Sequence, residues 1–214
     1  VAYTYDNKGF RQYTLVVKNL RTGKVLSSTA ERVTSVVWAS DNKTLFYTSE
    51  DAVTKRSNRL YRHKVGNKGH ELVWEEPDEF FAVHLSKTRT GAFIYLNTSS
   101  HTTASSAYIR ADKPLSKFKQ ILPQQHMVTY EVDDDGKNFY ILTNEQAKDF
   151  RLLKAPARSP FKCKEVLAHR PGVKIEGVDV FADYLIGMDI GFTVGTIITD
   201  GKGNDGLTRH ALNI

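Results

Sequence analysis

Apolar and polar residues alternate along most of the chain in short runs separated by turn-forming residues. Residues 33–76, VTSVVWASDNKTLFYTSEDAVTKRSNRLYRHKVGNKGHELVWEE, show the pattern most completely. Residues 33–39 and 44–49 are rich in β-branched and aromatic side chains, and the polar turn SDNK joins them. Residues 59–65 alternate apolar with polar, and 72–74 form a short apolar run after a turn carrying Gly66 and Gly69. A period of two, punctuated by Asn, Asp, Gly and Lys, predicts four antiparallel strands in one meander.

The meander repeats. Its second run, TLFYTSED, recurs as AFIYLNTS at 92–99, NFYILTNE at 138–145 and YLIGMDI at 184–190. Phe46, Phe93, Phe139 and Leu185 take matching places, 47, 46 and 46 residues apart. The third run recurs as SAYIRAD from Ser106, FRLLKAP from Phe150 and LTRHALN from Leu207, with an earlier copy, YTLVVKNL, at 13–20. Copies of the fourth run lie at 24–27, 118–122 and 164–168. A four-stranded repeat of about forty to fifty residues has the size of a propeller blade, and because no single meander buries both faces, copies must pack on one another.

The expected fold is therefore all-β, a partial β-propeller of about four to five blades. Residues 1–28 supply the second to fourth strands of a partial blade, and 33–76, 80–123 and 127–169 are complete blades. Residues 174–214 supply the first three strands of another, interrupted by an insert at 191–204 that reads either as an added hairpin, FTVG–TIITD, or as a mobile loop. Three strands at each end exceed the four of a shared closing blade. The expectation is a truncated ring whose exposed strand edges continue in a larger protein or self-associate. An opening without Met, directly in strand-like sequence, fits a fragment or a processed chain.

Composition narrows the classes. With 40% hydrophobic and 25% charged residues, the chain is an ordinary globular protein, not a disordered or fibrous one. The net charge of +6 permits an acidic partner, but Lys and Arg are spread along the chain, so a solvated basic surface is expected, not a nucleic-acid reader. Cys163 is the lone cysteine, which excludes an internal disulfide framework and fits a cytoplasmic protein. No basic stretch followed by an apolar one opens the sequence, and the longest apolar-leaning run, 185–198, is broken by Asp189 and is too short to span a bilayer. No membrane partner is expected.

Motifs for bond-making chemistry are missing. The sequence has no Gly-x-Ser-x-Gly elbow and no His-Glu-x-x-His signature. Ser99, Ser100 and His101 are neighbours in a polar loop, and adjacency does not make a triad. Glu131, Asp133, Asp135 and Gly136 begin like a calcium loop, but Leu142 stands where a bidentate Glu is required, so a hairpin turn is the reading. The stretch 195–202 misses the phosphate-loop spacing, and Gly203 follows Lys202 where Ser or Thr should bind magnesium. Among the histidines only His63 and His70 are closely spaced, and they are expected on different strands of one blade. Neither a metal nor a cofactor is expected. What remains is the set of connections between second and third strands, 6–12, 50–58, 97–105 and 144–150. In a propeller these emerge on one face, and they carry Arg11, Lys55, Arg56, His101, Lys148 and Asp149. Such loops on a rigid scaffold are either a binding face or ordinary polar connections.

The segments DNKGFRQYTLVVKNLRTGKVL, VVWASDNKTLFYT, TKRSNRLYRHKVG, ELVWEEPDEFF, SSHTTAS, NFYILTNEQAKDFRL and KIEGVDVFADYL, in this order over 1–188, resemble the propeller region of oligopeptidase B enzymes, in the prolyl oligopeptidase family of serine peptidases. The resemblance breaks at the insert and resumes at 206–208. It implies a seven-bladed propeller that covers an α/β-hydrolase domain carrying the catalytic Ser, Asp and His, and that excludes folded proteins while short peptides are cleaved after Lys or Arg. No catalytic residue carries over to these residues, because the hydrolase domain is absent from them. The isolated chain is expected to be inactive. Its implied role is gating, with the C-terminal hydrolase domain as partner and short basic peptides as substrates of the parent enzyme; Arg11, Lys55, Arg56 and Lys148 would pair with that domain's carboxylates. The alternative is a stand-alone propeller-like module that binds peptides or proteins, or a degenerate homologue without peptidase activity; a basic nucleic-acid scaffold is a third class.

Overall fold

Antiparallel strands build the computed structural model, which describes residues 1–181, 184–190, 195–201 and 208–212. Strands β1 (Ala2–Tyr5), β2 (Thr14–Lys18) and β3 (Val25–Ala30) form a three-stranded sheet. Next come β4 (Val33–Trp38), β5 (Thr44–Glu50), β6 (Ser57–Lys64) and β7 (Glu71–Glu75), a four-stranded sheet in sequence order. The third sheet holds β8 (Ala82–Lys87), β9 (Phe93–Ser99), β10 (Ala104–Arg110) and the short β11 (Lys119–Gln120). A fourth comprises β12 (Tyr130–Asp134), β13 (Asn138–Thr143), β14 (Arg151–Pro156) and β15 (Lys164–Leu167). The last comprises β16 (Lys174–Val180), β17 (Tyr184–Ile190), β18 (Gly195–Gly201) and β19 (Thr208–Leu212). Repeated antiparallel meanders of this kind are the expected partial β-propeller.

The chain divides into two compact units, one of residues 1–87, 91–101 and 107–120, the other of 88–90, 102–106 and 121–214. In the first, Val37, Phe46, Leu60, Leu85, Ile94 and Ile109 form the core, and Phe118 meets Phe46 edge-on at 5.8 Å. Leu15, Val33 and Tyr47 form a smaller cluster with Ala2, Ala30, Val36 and Tyr61 packed on it. In the second unit Leu142, Leu152, Leu167, Ile175, Val180 and Leu185 are buried together. Each of the four equivalent positions singled out by the repeat (Phe46, Phe93, Phe139 and Leu185) is buried.

The last sheet corrects the expected strand count for 174–214. Residues 195–201, taken as part of an insert, form the third strand, and 208–212, taken as the third, form the fourth. β18 pairs with β17 from Tyr184↔Gly201 to Ile190↔Gly195. A β-branched Thr-Ile-Ile-Thr run suits the middle of a sheet, where both edges are paired. The rest of the expected insert, 191–194 and 202–204, lies outside the described residues.

Candidate functional site

Loop geometry begins with two aspartates in equivalent places. Asp6 accepts hydrogen bonds from the amides of Lys8 (2.9 Å), Gly9 (3.0 Å) and Arg11 (2.6 Å). Asp51 accepts from those of Val53 (2.8 Å) and Thr54 (3.0 Å). Both are turns in which a side-chain carboxylate replaces a main-chain carbonyl. The Lys8 amide above all holds the Asp6 carboxyl below its usual range, and that of Thr54 does so for Asp51. The chain then passes through the left-handed region at Arg11 (φ 57) and Lys55 (φ 60).

In the first unit these loops share one end of their sheets with the connections that join one sheet to the next. The Val33 amide donates to the Tyr13 carbonyl at 2.9 Å and the Glu50 amide to that of Arg32 at 2.9 Å. Arg32 also pairs with Glu50 at 3.2 Å. The Arg56 guanidinium reaches across to the 76–81 connection and donates to the carbonyls of Glu76 (3.1 Å), Asp78 (2.7 Å) and Phe81 (2.6 Å). Lys55 turns back on its own loop, Nζ donating to the Ala52 carbonyl at 2.8 Å. Arg11 and His101 are exposed.

The second unit repeats the arrangement. The Ala104 amide donates to the Val128 carbonyl at 3.0 Å, and the Met127 amide to the Thr103 hydroxyl at 3.0 Å. Asn144 closes the same end through the Met127 carbonyl at 3.2 Å and the Thr129 amide at 2.8 Å. Lys148 is exposed, whereas the Asp149 carboxylate accepts from the Gly172 amide at 2.9 Å and lies 3.5 Å from His169. Of the six residues that sequence reasoning selected, Arg56 and Asp149 therefore tie neighbouring connections together, Lys55 braces its own loop, and Arg11, His101 and Lys148 face outward. No described contact joins two of the six side chains.

Other sequence candidates have structural occupations. Asp135 accepts from the amides of Lys137 (2.9 Å) and Asn138 (2.7 Å), the Asn138 side chain (2.9 Å) and the Tyr140 hydroxyl (3.2 Å), which makes 134–138 a hairpin turn. Asp133 accepts from the Val180 amide at 3.0 Å. His63 lies on β6, but His70, expected on a strand, sits in the connection before β7 with its ring stacked on His63. Sequence reasoning missed Asp134, a fully buried carboxylate bound by the Thr90 hydroxyl at 2.6 Å and the Gly136 amide at 2.7 Å. No group of three His, Cys, Asp or Glu residues is arranged to hold a metal among the described residues. The loop ends present the exposed cations Arg11 and Lys148.

The family model described as the prolyl oligopeptidase N-terminal beta-propeller domain matches residues 1–189. The chain belongs to that family. Protease 2 of Moraxella lacunata is 31% identical over 209 residues, 94% of this chain and 30% of that protein. Dipeptidyl aminopeptidase BI of Pseudoxanthomonas mexicana is 32% identical over 192 residues, 87% of this chain and 26% of that protein. In fold, the chain is similar to oligopeptidase B from Leishmania major, with a TM-score of 0.87 at 24% identity over 97% of this chain and 31% of that one. Oligopeptidase B from Trypanosoma brucei, in a closed form with covalently bound antipain, gives 0.85 at 22% identity over 100% of this chain and 31% of that one. The chain thus spans less than a third of the length of these proteins. Within this propeller domain, the candidate loops are the connections between second and third strands of successive blades.

Proposed function

We propose that this chain is the substrate-gating propeller of an oligopeptidase-B-like serine peptidase, which cleaves short peptides after Lys or Arg using a C-terminal α/β-hydrolase domain. Membership of the N-terminal propeller family carries this reading. A catalytic cavity covered by a propeller admits narrow, flexible chains and rejects folded proteins by size. Closing such a cover commits the substrate and excludes water. Arg11 and Lys148, exposed on braced loops, are the cations positioned to meet carboxylates of the catalytic domain, where charge pairs steer docking more than they add affinity. The chain alone carries no triad in this reading and is inactive. A free, half-buried Cys163 fits a cytoplasmic enzyme.

The test is a double charge reversal, Arg11→Glu with Lys148→Glu, in the complete peptidase. Slower cleavage of an Arg-containing reporter peptide, with a reduced salt dependence, is expected. Unchanged rate and salt dependence would remove both residues from the docking role.

A further inference from the structure

His63, on β6, is almost completely buried. Its Nδ1 meets the Gly69 carbonyl at 3.0 Å and so carries the proton, and its Nε2 is buried without a hydrogen-bond partner. The His70 ring stacks on it with centroids 4.2 Å and planes 17° apart. His70 Nδ1 also stands 2.8 Å from the Tyr47 hydroxyl, and Tyr47 stacks on Tyr61 at 5.2 Å. Burial, reinforced by Tyr61, raises the Tyr47 phenol, so a neutral hydroxyl shares this hydrogen bond with His70.

A second proton on His70 would place a positive charge in this half-buried site. It would also set a cation face to face with another imidazole. Arg62, Lys64 and Glu71 line the same cavity of about 380 Å³ as His70. Glu71, its acidic member, is held by Arg62 at 2.6 Å, and Arg62 also donates to the Pro114 carbonyl at 2.8 Å. From the first sheet, the apolar Ala2, Leu15 and Ala30 pack in the same cluster as Tyr47 and Tyr61. No unengaged carboxylate is positioned to welcome the charge among these neighbours. The hairpin is the place for local opening, since among the described residues β7 pairs with β6 alone, at the sheet edge.

We propose that the His63–His70 stack is an acid-operated latch, in which neutral His70 pins the 66–70 connection and β7 onto β6 and its protonation releases them. Burial first, and the neighbouring His63 second, hold the His70 pKa below the ordinary histidine value. The closed hairpin therefore binds the proton less readily than the open one. The latch is at full strength above the ordinary value of about 6.5 and weakens as pH falls from there through the lowered value.

Amide hydrogen exchange of the 214-residue chain at about pH 7.5 and about pH 5.5, corrected for intrinsic rates, brackets this transition. The latch predicts severalfold faster exchange at the lower pH in β6, 66–70 and β7, with β13 and β14 unchanged. His70→Phe, which keeps a ring but cannot take a proton, should lose that difference. An unchanged hairpin, an equal response in every sheet, or a response persisting in His70→Phe would overturn the proposal. Should that variant not fold, nitrogen-15 titration of the native imidazoles decides. A His70 midpoint below the ordinary value, with Tyr47 resonances moving alongside, supports the latch; an ordinary or raised midpoint overturns it.

Discussion

Arg56 and Phe81 are joined by a 2.6 Å hydrogen bond from guanidinium to main-chain carbonyl, across 25 residues of sequence. With the Asp78 and Glu76 carbonyls also bound, Arg56 fastens the β5–β6 loop to the connection leading into the next sheet. Hydrogen bonds to a charged group contribute more than neutral ones, about 1.5–3 kcal/mol net. Arg56→Ala should therefore lower the stability of the isolated chain by about 2–3 kcal/mol, read as a reduced urea midpoint. Lys, whose compact ammonium lacks the planar, preorganised fork of a guanidinium, should recover only part. An unaltered midpoint in Arg56→Ala would leave the residue free for a docking role.

Adjacent aspartates should respond to pH in opposite directions. Burial drives the Asp134 carboxyl up, against the bonds from Thr90 and Gly136. A raised folded pKa means the folded chain takes the proton more readily, so this residue's contribution improves as pH falls toward the ordinary value of about 3.9. Asp134→Asn should be at least as stable as the native chain near neutrality, with that advantage closing in acid. Asp134→Ala, which removes the acceptor shared by the Thr90 hydroxyl and the Gly136 amide, should cost about 1–3 kcal/mol. Urea titrations at several pH values check both.

At Asp135, burial also pushes upward, but the bonds from Asn138, Lys137 and Tyr140 outweigh it and the carboxyl lies below its usual value. Its contribution is present above the ordinary carboxylate pKa and is lost as pH falls through the lowered one. Asp135→Ala should cost about 1–2 kcal/mol near neutrality, a modest figure because the group is partly solvated. That cost should disappear in acid, the reverse of the trend at Asp134.

Phe46 is fully buried and Phe80 is 85% exposed. Removing the first ring leaves a cavity among Leu60, Ile94 and Phe118, so Phe46→Ala should destabilise by about 3–5 kcal/mol. Phe80→Ala should stay within about 0.5 kcal/mol. Similar losses at both positions, measured by chemical unfolding, would contradict the assigned core.

Strand pattern carried most of the fold because runs of β-branched and aromatic residues between polar turns are what buried antiparallel strands require. The segments read as strands at 33–39, 44–49, 59–65 and 72–74 correspond to β4–β7. At 195–201 the reading failed because LTRHALN resembles the third-strand copies better than TIITDG does, and only the ladder with β17 separates them. Site residues were less legible. Arg56 binds carbonyl oxygens, which have no sequence signature, so its identity as a brace was invisible beside its charge. Asp133, Asp134 and Asp135 look alike in a string, yet their turn geometry buries Asp134 completely and leaves Asp135 partly solvated. The His63–His70 stack depends on the path of the 66–70 connection, which spacing alone does not set.

The central claim is tested most directly by mapping the cuts made in a mixed peptide library by the proposed two-domain peptidase, with the 214-residue chain alone alongside. The account predicts cleavage after Lys and Arg in short peptides, none in a folded protein with accessible basic loops, and no cleavage by the chain alone. Cuts without preference for basic residues, digestion of the folded protein, or hydrolysis by the isolated chain would contradict it.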